Sequence, residues 1–208
     1  REMGLQVDVM PVISKIFCSL SQTMLIIRKR PHAVNGGGLV FTNCTQRVLF
    51  TVDGCGTLGT EGELLLRDGQ GEPILFIRKK GGIVQALSVQ NQWRGYLMDD
   101  EGVGRSVFTL REPKSLLLVK NSNIKISVEP KGKKKDWDYE VKGSFAEKAC
   151  AVTDRRGNLV AQVGVRKELG VMASTEVYHV VVQPGCDQAF VVGVIAVLDN
   201  IHGESTRC

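Results

Sequence analysis

Long apolar runs, histidine and aromatic side chains are all scarce in this chain of 208 residues. No apolar stretch reaches the ~18 residues of a membrane-spanning helix, so none is predicted. The histidines, His32, His179 and His202, stand far apart, and no Cys-x-x-Cys pair occurs. Neither a metal nor a cofactor is expected from that spacing. No Gly-Lys-Ser/Thr phosphate loop, nucleophile elbow, zinc-protease helix or kinase signature is present. No catalytic residue is assigned, and the expectation is a protein that is not an enzyme. No secretory n-region and h-region opens the stretch beginning at Arg1. With six dispersed cysteines (Cys18, Cys44, Cys55, Cys150, Cys186, Cys208), this favours reduced thiols and a cytoplasmic location. The sequon at Asn43 is then accidental.

What the chain does have is ordinary globular material, with 43% hydrophobic and 24% charged residues. Against six prolines stand 23 glycines, which suits many tight turns. Strand-like segments recur at short spacing: 23–28, 39–42, 47–52, 63–67, 73–79, 83–89, 92–98, 106–111, 115–120, 124–128, 139–145, 149–153, 159–166 and 176–183. Gly, Asp and Asn punctuate nearly every gap, which predicts a sandwich or barrel. One pattern occurs twice. Leu65-Leu66-Arg67-Asp68 leads through Gly71 into Pro73–Lys79, and Cys150–Asp154 leads through Gly157 into Leu159–Val165. Asp opening a turn bonds to backbone N–H groups two residues on, and Gly three later accepts positive φ. The repeat predicts two similar halves of one closed sheet, and a single domain over 1–208.

The run Ala189–Leu198 is ten residues without a polar side chain, between Asp187 and Asp199. The preceding Gln183-Pro184-Gly185 ends a strand, Asp187 suits an N-cap, and Asn200 and Gly203 suit a stop. We expect a helix over 188–199. A helix apolar all round has to be buried all round, so Phe190, Val191, Val192, Val194, Ile195, Val197 and Leu198 form the expected buried core of the barrel. Each contributes ~1.5–3 kcal/mol on burial. Gly193 would let a strand approach closely.

Gly54-Cys55-Gly56-Thr57-Leu58-Gly59 matches Gly-x-Gly-x-x-Gly literally. A dinucleotide site needs a long helix opened by the third glycine, but Glu61-Gly62 and a short strand follow. This is read as a glycine-rich loop. Gly36-Gly37-Gly38 is read as a turn or a close backbone approach.

The net charge of +5 is unevenly spread. From Lys114 to Lys135 seven lysines face one acid, Glu129, whereas the last 38 residues hold Arg207 against four acids. Two clusters are densest: Arg78, Lys79 and Lys80, and Lys131, Lys133, Lys134 and Lys135. On strand ends and loop tips these seven residues are candidates for an anionic lipid head group, and the lysines of 114–135 are, on an alternative reading, candidates for nucleic acid. A solvated, solubilising hairpin is the plain alternative for the second cluster. Trp137 and Tyr139, two apart, suit one strand face packed in or beside the core.

With these units in hand, the chain resembles the LURP-one-related family of plants. The resemblance rests on Asp68…Gly71 through Arg78-Lys79, Gly143-Ser144-Phe145, Asp154…Gly157 with Val160-Ala161, Val182…Pro184-Gly185-x-Asp187-x-Ala189, Leu198-Asp199 and Phe17-Cys18. It implies the fold of the tubby C-terminal domain: mainly β, a closed antiparallel barrel of about twelve strands around a hydrophobic C-terminal helix. It also implies a link to plant defence and, by analogy at fold level only, binding of phosphoinositides. The functional expectation is a monomeric, non-catalytic binding or tethering protein, cytoplasmic and peripheral at the plasma membrane. Its partner would be a phosphoinositide or anionic membrane surface. A protein-interaction scaffold without lipid affinity and a nucleic-acid-binding regulator are the alternatives.

Overall fold

Side chains alternate across a strand, so a strand with one buried face repeats with period two. Leu25 and Ile27, Leu64 and Leu66, Leu75 and Ile77, and Val180 and Val182 are all buried in this way. In the computed structural model, which describes residues 8–31, 36–80, 90–113, 123–130, 136–165, 177–202 and 205–207, the pattern produces twelve strands. They are β1 (Thr23–Arg30), β2 (Gly38–Thr42), β3 (Val48–Asp53), β4 (Glu63–Asp68), β5 (Pro73–Lys79), β6 (Gln90–Asp99), β7 (Gly102–Pro113), β8 (Ile124–Val128), β9 (Tyr139–Ser144), β10 (Ala149–Asp154), β11 (Leu159–Gly164) and β12 (Val177–Val182). Each pairs antiparallel with its sequence neighbours. Pairing of β1 with β12 closes the ring. Closure leaves no free sheet edge. The expected strands at 83–89 and 115–120 fall outside the described residues.

The C-terminal helix, Gln188–Ile201, runs two residues beyond the expected span. At ~1.5 Å per residue it is about 21 Å long, and Ala189–Asn200 are buried. Phe190 meets Phe108 edge-on with ring centroids 5.5 Å apart, and Tyr139 at 5.0 Å. Burial, with nearby anionic groups, pushes the Tyr139 phenol up to about 12. A Cβ on Gly193 would lie 2.9 Å from Leu75 Cδ2 and 3.4 Å from Ile77 Cδ1. The missing side chain therefore gives β5 its close approach to the helix.

The Asp-x-x-Gly turns are superimposable in their bonding. Asp68 Oδ1 accepts from the N–H groups of Gln70 and Glu72, and Asp154 Oδ1 from those of Arg156 and Asn158. Gly71 and Gly157 have φ of 91° and 85°, and a register shift falls at Leu66/Arg67 and again at Val152/Thr153. The two hairpins are six strands apart in a ring of twelve, on opposite sides of the barrel.

Both helix ends are tied by carboxylates. Asp187 Oδ1 accepts from the Phe190 N–H as the N-cap (3.1 Å). Its Oδ2 accepts from three successive N–H groups, those of Val12 (3.1 Å), Ile13 (2.7 Å) and Ser14 (3.0 Å). An N-terminal strap is thereby held across one end of the barrel. The strap continues through the 3-10 turn Lys15–Phe17, where Phe17 packs on Phe50 of β3 (5.6 Å). At the other end Asp199 Oδ2 accepts from the Thr206 N–H (2.8 Å) and hydroxyl (2.7 Å), and Asn200 Nδ2 donates to the Thr206 carbonyl (3.1 Å).

Two expectations are corrected. The thiols are not all reduced: Cys55 is disulfide-bonded, whereas Cys18, Cys44, Cys150 and Cys186 are free. Dispersed spacing carries no information on which sulfurs meet in space. The glycine-rich loop contains one helical turn, Cys55–Leu58, ended by Gly59 at φ 78°. Four residues are too few to show a helical period in sequence.

Replacing Asp187 by Ala removes the cap and the acceptor of three strap amides together. A cap contributes ~1 kcal/mol and a hydrogen bond to a charged group ~1.5–3 kcal/mol. Chemical denaturation of D187A should show a loss of about 3–5 kcal/mol, with D187N intermediate. A loss under 1 kcal/mol would show that the strap is not held this way.

Candidate anion-binding site

Strands β4, β5 and β6 place charged residues in one outward row. Leu64, Ile77 and Trp93 are buried towards the helix, so Glu63, Arg78 and Arg94 face outwards by alternation. The register sets Glu63 opposite Arg78, Arg78 opposite Arg94, and Phe76 opposite Tyr96. Like charges directly opposed across a ladder are destabilising. Here the Arg78 guanidinium lies over the Tyr96 ring, 5.2 Å from its centroid, and Glu63 sits on its other side.

The loop after the short helix closes the row into a groove. The Lys79 N–H donates to the Gly62 carbonyl (2.8 Å), and the Lys80 N–H to the Gln92 carbonyl (2.8 Å). These bonds hold the end of β5 between the 60–63 loop and β6. The resulting cavity has a volume of about 440 Å³ and is lined by Thr60, Glu61, Gly62, Glu63, Arg78, Lys79, Lys80, Arg94 and Tyr96. Four cations face two carboxylates, and Glu61 is partnered by Arg207 (Nε to Oε1, 4.0 Å). The groove can take an anion with several oxygens. Guanidinium groups bind such oxygens in pairs, and lysines act as point charges.

Arg78, Lys79 and Lys80, singled out in the sequence, therefore share one groove. Lys131, Lys133, Lys134 and Lys135 lie outside the described residues. Their flanks, Glu129 after β8 and Asp136 before β9, are at the Asp187 end of the barrel, whereas Lys79 is at the Asp199 end, as strand direction dictates. The helix residues Phe190, Val191, Val192, Val194, Ile195, Val197 and Leu198 are core and present nothing to a ligand. Trp137 is capped by Lys125, with Nζ 5.4 Å from the ring centroid. Sequence reading missed Arg94, Tyr96, Glu61 and Glu63, which only the β4–β5–β6 register gathers.

Beside the groove, Asp53 of β3 accepts from Arg30 Nη2 of β1 and from Arg67 Nε of β4 (3.0 Å), bracing three separate strands. Burial alone would raise the Asp53 carboxyl. Hydrogen bonds and charge from Arg30 and Arg67 outweigh it and hold the group below the usual carboxylate range.

A family model described as LURP-one-related matches residues 23–199. The chain is 49% identical over 197 residues to LURP-one-related 6 of Arabidopsis thaliana, covering 95% of this chain and 98% of that protein. It is 52% identical over 205 residues to LURP-one-related 16 of the same plant, covering 95% of each. An Arabidopsis thaliana protein solved by X-ray crystallography has a similar fold, with a TM-score of 0.64 at 21% identity, covering 92% of this chain and 98% of that one.

A carboxylate whose folded pKa is depressed stabilises the fold above its unfolded value of ~3.9, and that contribution is lost as pH falls through the folded value. Asp53→Asn should therefore cost about 2 kcal/mol at neutral pH. The gap from wild type should be constant above pH ~5 and shrink below pH ~4, as measured by urea denaturation across pH. A gap independent of pH would show that Asp53 contributes packing and no charge.

Proposed function

The chain belongs to the LURP-one-related family, and on that footing we propose that it is a non-catalytic tether that docks on anionic membrane through the Arg78–Arg94 groove, with a phosphoinositide head group as ligand. The observation that carries this is the direct opposition of Arg78 and Arg94, with Lys79 and Lys80 beside them on the same groove. An arrangement that costs stability when empty is relieved by a bound anion. Non-local charge attraction is too weak for the task. At ~1 kcal/mol per cation near an anionic surface, four cations give about 4 kcal/mol, a millimolar affinity. Charge-assisted hydrogen bonds to phosphate oxygens, about twice as strong as neutral ones, must supply the rest. A phosphomonoester is thus preferred over a diffusely charged lipid.

No described helix is long and apolar enough to cross a membrane. A single electrostatic contact gives reversible residence only. A protein recruited in this way to the plasma membrane would act in plant defence by bringing a partner there.

Vesicle co-sedimentation tests the reading. Phosphatidylcholine vesicles carrying a phosphatidylinositol bisphosphate should capture the protein, and vesicles of equal charge carrying phosphatidylserine should do so less. Higher salt should weaken capture. Lys80→Gln and Arg94→Gln should each weaken it about fivefold, on ~1 kcal/mol per charge. Absence of capture would overturn it and leave a scaffold without lipid affinity, and equal capture by a variant with all four cations neutralised would overturn it by placing the lipid contact outside this groove.

A further inference from the structure

Arg207 reaches the groove from the end of a tail whose position is fixed from three directions. Thr206 is held by Asp199 and Asn200 in the last turns of the core helix. Its carbonyl also accepts from the Cys55 N–H (3.2 Å), and the Ser205 carbonyl accepts from the Gly38 N–H of β2 (2.9 Å). A Cβ on Gly54 would lie 2.5 Å from the Thr206 carbonyl oxygen, so glycine there is what lets the tail lie down. Residue 207 follows immediately, and its Nε lies 4.0 Å from Glu61 Oε1.

Glu61 is an exposed carboxylate on the wall of a groove that takes anions. Left alone, it would compete with the ligand for Arg78, Lys79, Lys80 and Arg94. We propose that Arg207 is a positioning residue for the anion groove: by pairing with Glu61 it draws that carboxylate to the tail and removes one of the two carboxylates that compete for the groove cations, Glu63 staying opposite Arg78. This rests on the reading of the groove as an anion site. It adds that the groove's affinity depends on docking of the C-terminal tail, and through Asp199 on the core helix. The pair is exposed, with about half of the Arg207 side chain in solvent. Its effect is accordingly modest, and it acts on binding far more than on folding.

The test uses the full chain and vesicles with and without a phosphatidylinositol bisphosphate, at low salt. Arg207→Gln should weaken capture roughly two- to fivefold, with an unchanged melting temperature, and Arg207→Lys should restore most of it. In a Glu61→Gln background, Arg207→Gln should have no further effect, because the carboxylate that Arg207 restrains is gone. If R207Q binds as wild type does, or if its loss persists undiminished beside E61Q, Arg207 does not act through Glu61 and the inference fails while the groove reading stands. If wild type shows no preference for the phosphoinositide vesicles, the groove reading fails and carries this inference with it.

Discussion

Ten consecutive apolar residues, Ala189–Leu198, between two buried aspartates set the constraint on which the rest of this structure depends. A helix without a polar face has no stable place at a water interface, and a closed sheet has an interior to fill. Each solves the other's problem. What fixes the helix along the axis is electrostatic: the Phe190 amide and the strap share Asp187, and the tail is gathered by Asp199. Hydrogen bonds to carboxylates are among the stronger ones available to a protein, and here they join segments far apart in sequence.

This arrangement gives the barrel two unlike ends. The strap, with Phe17 packed on Phe50, covers the end where the helix begins. The tail, the short helix Cys55–Leu58 and the groove of Arg78, Lys79, Lys80 and Arg94 occupy the end where it stops. The cationic groove is therefore built on rigid strands, with its loop wall clamped to β5 by the Lys79–Gly62 bond. Arg30, Asp53 and Arg67 brace β1, β3 and β4 nearby. Rigidity of this kind lowers the ordering cost of binding.

Features that act over a few residues were legible in the sequence. The helix was marked by its apolar run and bracketing acids. The two hairpins were marked by Asp68…Gly71 and Asp154…Gly157, whose side-chain and φ requirements are local. Arg78, Lys79 and Lys80 stood out as a run of charge. Arg94 and Tyr96 did not, because Gln-Trp-Arg-Gly-Tyr-Leu-Met alternates imperfectly and its partners are fixed by register with β5, a non-local property. The disulfide at Cys55 was hidden for the same reason. Arg207 looked like an isolated charge in an acidic stretch, and only the bonds of Ser205 and Thr206 to Asp199, Asn200, Cys55 and Gly38 bring it to Glu61.

Helix and barrel form one cooperative unit, neither persisting without the other. Native-state hydrogen exchange resolves this residue by residue. The amides of Val191–Leu198 should exchange as slowly as those of strands β1, β5 and β12, and all should converge on the free energy of global unfolding. Helix amides exchanging orders of magnitude faster than the strands would show instead a barrel that is stable around a helix that comes and goes.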